Sequence, residues 1–185
     1  MLRGKRVVVR PVSDADVPLL AAWAADPGKA SGSFQRFQLE HGRLLTGLYA
    51  QGGLIARDSG FLIAELEAEQ KAIGFVRYNS SQFPDPDIAG MDIGYGIAEP
   101  EYRGKGYATE AVALLLDYLF AGYPVERVSA YTDAENAPSR RLLEGLGFTC
   151  EGTMRSASFR HGAWRDMCIY AILRREWAAR QQETT

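Results

Sequence analysis

Between a short Ile- and Tyr-bearing run, Met91–Ile97, and a long apolar stretch lies a loop dense in glycine and positive charge, Tyr102-Arg103-Gly104-Lys105-Gly106-Tyr107-Ala108-Thr109. The stretch after it is apolar at Ala108, Ala111, Val112, Leu115, Leu116 and Leu119, a helical stripe ending near Gly122. The unit therefore reads strand, tight loop, helix. Glycines at the mouth of a helix leave main-chain N–H groups without partners and without cover, and the helix dipole adds partial positive charge there. A phosphate group is the ligand such a place suits. Gly104 and Gly106 let a phosphate approach the main chain, and Arg103 and Lys105 add charge. In the strand, Gly94 and Gly96 are costly in an interior position and mark a bulge or a close backbone approach. Further on, Asn136 stands at the start of a second helix with Ser139 in its first turn, and both residue types also serve as ordinary helix caps.

Two nucleotide motifs fail on this loop. The pattern G-x-x-x-x-G-K-[ST] needs glycine where Glu99 stands, and Gly106 follows Lys105. The dinucleotide fingerprint fits Gly104 and Gly106 but ends on Thr109, and it belongs in the opening unit of a parallel sheet.

The elements that must hold this loop can be read in chain order. Arg6–Arg10 is a β-branched strand that Pro11 ends, and Ser13 or Asp14 caps a helix over 14–25. Asp26-Pro27-Gly28 stops that helix; 29–37 is ambiguous, with Phe34 and Phe37 suggesting a short packed element. A helix follows over 38–50, then a hairpin of Phe61–Glu65 and Ala72–Asn79, then a long loop, Ser80–Gly90. After the central unit come a strand over Val125–Thr132 and a helix from Pro138 to Leu146 closed by Gly147. Two long strands, 148–160 and 163–174, finish the fold; a His161-Gly162 turn places Phe159 opposite Trp164. Residues 174–185 read as a polar tail that frays. The order predicts an α+β or mixed α/β sheet in one domain spanning 1–185, not a doubly wound one.

Of the 185 residues, 46% are hydrophobic and 24% charged, with a net charge of −2. That is ordinary for a folded soluble chain, and it lacks the basic excess of a nucleic-acid or membrane-surface binder. No apolar run reaches the ~18 residues of a membrane span, and no signal-peptide core follows the N-terminus, so a cytoplasmic location is expected. Cys150 and Cys168 suggest neither a disulfide framework nor a metal motif; both read as buried small hydrophobes, and no metal site is indicated.

A third pattern fits the loop. Arg103-x-x-Gly106-x-Ala108 resembles the [Q/R]-x-x-G-x-[G/A] pyrophosphate loop of the GNAT superfamily of acyl-CoA N-acyltransferases. The resemblance extends to Ile93-Gly94-Tyr95 before the loop and to Asn136-x-x-Ser139, Leu142-Leu143-Glu144 and Leu146-Gly147-Phe148 after it. Val9-Arg10-Pro11, Asp14–Asp16 and Trp23 near the start are similar to the ribosomal-protein N-terminal acetyltransferase branch. So are Glu151-Gly152, Arg155, Gly162, Asp166 and Tyr170 near the end. The resemblance implies a twisted, mostly antiparallel sheet of about seven strands with about four helices, splayed where acyl-CoA enters.

It also implies the chemistry. Acetyl-CoA is the expected donor, and the acceptor is a primary amine, either a protein N-terminus or a small molecule. No nucleic acid or membrane takes part, and a homodimer is compatible with the family. The pyrophosphate would lie on Arg103, Gly104, Lys105, Gly106, Tyr107, Ala108 and Thr109, and the pantetheine arm along the strand ending at Ile97. Asn136 would bond the cofactor. Many members carry a thiolate-protonating Tyr where this chain has Leu143, which leaves Ser139 as the donor to the departing thiolate. Ser158 occupies the place of a carboxylate found in some ribosomal-branch members. Asp92 is therefore the candidate base, with Asp166 behind it; an exposed or cross-strand charge is an equal reading of each. His41 and His161 offer no base. Residues 28–52 and 80–90 are expected to shape the acceptor pocket, and Asp85 and Asp87 hint at a cationic acceptor. A non-catalytic acyl-CoA-binding domain is the alternative that the loss at Ser158 keeps open.

Overall fold

A strand that loses its neighbour halfway along its length organises the molecule. The computed structural model describes residues 1–29, 41–81, 90–160 and 162–183. Eight strands form one sheet: β1 (Leu2–Arg3), β2 (Val7–Pro11), β3 (Ser59–Leu66), β4 (Lys71–Ser80), β5 (Gly90–Ile97), β6 (Arg127–Asp133), β7 (Thr149–Arg160) and β8 (Ala163–Leu173). Their spatial order is β1-β2-β3-β4-β5-β6-β8-β7. Every neighbouring pair is antiparallel except β5–β6. That parallel pair needs a crossover, and helix α3 (Tyr107–Gly122) supplies it. β5 and β6 pair only from Gly90↔Arg127 to Ile93↔Ala130. Beyond that point Gly94–Ile97 stay on β4 and Tyr131–Asp133 stay on β8, so the sheet opens between them. On the β4 side the contact is tight: a Cβ on Gly74 would stand 2.1 Å from the Gly96 carbonyl oxygen.

The larger core lies on the α3 face. Val112, Leu115, Leu116 and Leu119, the predicted stripe, are fully buried there against Val76, Val128, Leu143 and Tyr170. Truncating one such leucine to alanine costs about 2–5 kcal/mol through lost transfer energy and the cavity left behind. On the other face, α1 (Val17–Ala25) lays Leu20 and Trp23 over Ile63, with α2 (His41–Gly52) beside it. Helix α4 (Ala137–Gly145) begins at the Asn136 cap and ends in a Schellman turn. Phe148 N–H bonds the Leu143 carbonyl, Gly147 N–H bonds that of Glu144, and Gly147 adopts φ +91°.

The eighth strand, β1, is two residues long, too short to show any period in sequence. Two expectations are corrected. The tail expected to fray is helix α5 (Arg174–Glu183). Trp177 anchors it, buried, with Nε1 donating to Asp117 at 2.9 Å, and the Arg174 guanidinium bonds the carbonyls of Phe120, Tyr123 and Val125. One tryptophan in a polar run carries no periodic signal, so only docking reveals the helix. Cys150 is exposed on the edge strand, while Cys168 is buried as expected. The last hairpin has Phe159 opposite Trp164, as read from its turn. No described helix is long and apolar enough to cross a membrane.

Candidate active site

The loop before α3 presents its main chain as anticipated. Gly104 and Gly106 hold φ +73° and +82°, values that only glycine adopts without strain. The first bond of the helix is Glu110 N–H to the Gly106 carbonyl. Among the described residues no acceptor meets the N–H groups of Gly104 through Thr109, so six consecutive donors surround the helix N-terminus. Glu110 pins the rim. It accepts from the main-chain N–H groups of Arg6 (2.7 Å) and Val7 (3.1 Å) and from Arg6 Nε (3.1 Å). Burial works against its charge, but these donors hold the carboxyl below the usual range.

Arg103 lines the cleft described below, and its guanidinium bonds three main-chain carbonyls. Nε bonds the Ile97 carbonyl at 2.8 Å, and Nη2 bonds those of Ala98 (2.9 Å) and Gly28 (2.8 Å). The side chain thus ties the loop to the end of β5 and to the exit of α1, and it occupies the Ile97 carbonyl. Lys105 Nζ sits over the Tyr102 ring, 5.4 Å from its centroid.

A cleft of about 700 Å³ runs from this loop into the opening between β5 and β6, lined by Gly94–Ile97, Gly104, Gly106–Thr109, Tyr131, Asn136 and Ser139 among others. Asn136 is the cap of α4: its Oδ1 accepts the Ser139 N–H at 3.2 Å. Ser139 Oγ in turn lies 2.7 Å from the Tyr95 hydroxyl. Burial, offset in part by Ser139, pushes the Tyr95 phenol up to about 12. Leu143 is fully buried in the core. Tyr95 therefore brings a phenol to Ser139 from the strand instead of the helix. In the sequence the one signal for Tyr95 is a phenol on the strand the cleft must line.

Asp92 alternates with Met91 and Ile93, which are buried in the main core, so its side chain lies on the opposite face with Gly94 and Gly96. It lines neither this cleft nor the cavity described next. Its Oδ1 is buried without a hydrogen-bond partner among the described residues. Burial pushes the carboxyl up from its usual range, with Ser81, Arg127 and Arg77 opposing. Asp166 is exposed, and its Oδ1 accepts the Ser156 N–H at 2.8 Å where β7 bulges, with Ser156 at φ +51°. That bond pins the bulge, and Asp166 lines neither the cleft nor the cavity described next. Ser158 faces Arg165 farther along the same hairpin.

A second cavity, about 920 Å³, lies on the α1–α2 face of the sheet. Phe75 and Arg77 of β4 form part of the wall of both spaces. Arg77 lies over bare backbone: a Cβ on Gly94 would come within 2.6 Å of its Nε. Neither residue stood out in sequence, because one Arg and one Phe in an alternating strand carry no pattern. Part of 28–52 and most of 80–90 lie outside the described residues, Asp85 and Asp87 included. Among the described residues no group of three or more His, Cys, Asp or Glu side chains is placed to hold a metal ion.

A family model for an acetyltransferase (GNAT) domain matches residues 6–149. The chain belongs to the GNAT acetyltransferase family. An uncharacterized N-acetyltransferase, p20, from Bacillus licheniformis is 36% identical over 94 residues, 51% of this chain and 52% of that protein. The chain spans about half the length of the curated relatives it matches first. Among solved structures, a spermidine N-acetyltransferase from Vibrio cholerae, in complex with CoA and spermine, superposes with a TM-score of 0.81. It is 22% identical over 95% of this chain and 99% of that one. A ribosomal-protein-S5-alanine acetyltransferase from Vibrio fischeri gives 0.73, at 24% identity over 95% and 97%. Both share the fold seen here.

Proposed function

We propose that this GNAT protein, acting as a single domain, transfers an acetyl group from acetyl-CoA to a primary amine. The observation that carries this reading is the row of six unpartnered N–H groups, Gly104–Thr109, at the rim of a cleft that leads into the opening between β5 and β6. Diphosphate is the ligand such a row suits, and bulky side chains at Gly104 and Gly106 would block it. Bound there, acetyl-CoA supplies an acetyl thioester: the amine's N–C bond forms as the C–S bond breaks, and the thiol leaves. The cleft fits the rest of that molecule, since the edge of Gly94–Ile97 is free of β6 and can take a pantetheine amide. A main-chain N–H on the same edge can stabilise the oxyanion as charge builds on the carbonyl.

The remaining roles belong to side chains. Tyr95 and Ser139 form one donor pair at the cleft wall, and a phenol with a raised pKa keeps its proton at neutral pH for the departing sulfur. Asn136 orients Ser139 through its first-turn N–H. Asp92 is assigned the amine's proton. Burial has raised its proton affinity, and among the described residues no donor meets Oδ1. It lines neither space, so this assignment requires a relay between the amine and Asp92.

The test is direct. The protein is mixed with acetyl-CoA and a panel of N-terminal peptides, polyamines and amino acids, and products are read by mass spectrometry for an added acetyl group. CoA binding is measured in parallel by calorimetry. An adduct on any amine is expected. CoA binding with no adduct on any of them favours the non-catalytic alternative that Ser158 keeps open, and no CoA binding overturns both.

A further inference from the structure

The second cavity has a charge pattern that acetyl transfer alone does not dictate. Its floor is the β3–β4 hairpin, with Phe61 and Phe75 stacked at 4.9 Å between centroids, and its other walls are Leu20, Trp23, Leu44 and Leu48. Among the described wall residues there is no aspartate or glutamate, and the two cations are Lys29 and Arg77. Lys29 is spoken for: Nζ donates to both oxygens of Glu99, at 3.0 and 2.9 Å. Arg77 is not. Among the described residues its guanidinium donates no hydrogen bond, and Asp92 is the one carboxyl whose charge reaches it. It stands where the two spaces meet, over Gly94 and beside Phe75.

A polyammonium chain is a poor guest here. It would exchange water for apolar walls and a guanidinium, with no carboxylate among the described wall residues to compensate its charge. An amine that carries its own carboxylate a few bonds away fits better. Guanidinium is the donor fork that matches a carboxylate in two parallel bonds, and a buried one without partners gains most from such an anion. With the carboxylate on Arg77, an amine one carbon away is held at the junction with the donor's cleft, and an apolar side chain is left for the leucine and aromatic walls.

We propose that the acceptor is a small amino carboxylate with a large apolar side chain, and that Arg77 is the residue that selects it. This rests on the acetyl-transfer reading above. It sets the chain apart from an acceptor preference for polyamines, the molecule named with the Vibrio cholerae structure.

The experiment compares kcat/KM for free phenylalanine, leucine, tryptophan and methionine, for the amide of each, and for spermidine. Wild type, Arg77→Met and Arg77→Lys are used, each first shown folded by its melting temperature. For the preferred side chain the free acid should exceed its amide by about tenfold or more, the worth of one charge-assisted contact. In Arg77→Met that ratio should collapse toward one through KM, and Arg77→Lys should recover part of it. Amides acetylated as well as acids, spermidine preferred over all acids, or acid and amide turnover falling together in Arg77→Met would each overturn the proposal. The first two outcomes leave acetyl transfer standing, because an acetylated product is seen. Intact CoA binding with no product from any amine removes both readings.

Discussion

The Tyr95 hydroxyl lies 2.7 Å from Ser139 Oγ, joining the open edge of β5 to the first turn of α4 across the cleft. In the proposed mechanism the two hydroxyls deliver one proton as a unit. Removing either should cost nearly as much as removing both: Tyr95→Phe, Ser139→Ala and the double variant should each lower kcat by about 10- to 100-fold, with little change in KM for acetyl-CoA. Losses that multiply in the double variant would show that the hydroxyls act separately.

Asp92 should separate activity from stability. Its carboxyl binds a proton more readily in the folded protein than in the unfolded chain, where it titrates in the usual range. Charged Asp92 therefore disfavours the folded state, and that cost disappears as pH falls through the raised pKa. Asp92→Asn should leave the melting temperature unchanged or higher at pH 7 while reducing kcat by about 100-fold. The acid limb of the wild-type rate profile should lie above the ordinary carboxylate range and vanish in the variant. A variant that melts lower and keeps its rate would make Asp92 a structural partner of its neighbours only.

The glycine loop and its arginine should fail in different ways. Gly106→Ala forces a side chain into φ +82°, costing about 1–2 kcal/mol, and crowds the row of N–H groups, so CoA affinity should drop by tenfold or more on this order-of-magnitude reading. Arg103→Ala instead strands the carbonyls of Ile97, Ala98 and Gly28. It should cost about 2–3 kcal/mol of stability, with CoA affinity falling less than in the glycine variant. Calorimetric CoA titrations beside thermal melts distinguish the two, and the reverse ranking would return Arg103 to the phosphate.

Arg10 and Asp16 set an acid sensitivity far from the cleft. Two parallel bonds, 2.6 and 2.9 Å, join them, and Arg10 Nε also reaches Glu65 at 2.7 Å. Burial opposes the charge on Asp16, but Arg10 and Ser13 outweigh it and hold the carboxyl at about 2. The contribution, about 2 kcal/mol, is complete above the ordinary carboxylate range and is lost as pH falls through 2. Asp16→Asn should therefore lower stability at pH 7 and flatten its dependence between pH 4 and 2 in urea melts. An unchanged slope would assign that dependence to other carboxyls.

Local chemistry was legible in the chain; assembled chemistry was not. The α3 stripe, the left-handed glycines and the Asn136 cap all depend on residues within a few positions of one another, where periodicity and φ preference act directly. Arg103 was legible as a charge beside the loop, but which acceptor it meets depends on Ile97, Ala98 and Gly28 folding around it. Asp92 was legible as a carboxylate, whereas its seclusion follows from the register of β5 between β4 and β6. Arg77 was invisible for a similar reason: it matters because Gly94, seventeen residues on, leaves room for it across one ladder.

By itself the sequence determined the family and the exposed main chain of the glycine loop, because these rest on short-range spacing. The tertiary structure decided which side chains meet: Tyr95 with Ser139, Arg103 with three carbonyls, Arg77 between two cavities. Strand pairing and the opening after Ile93 bring distant residues within hydrogen-bond range, and no local preference encodes those distances.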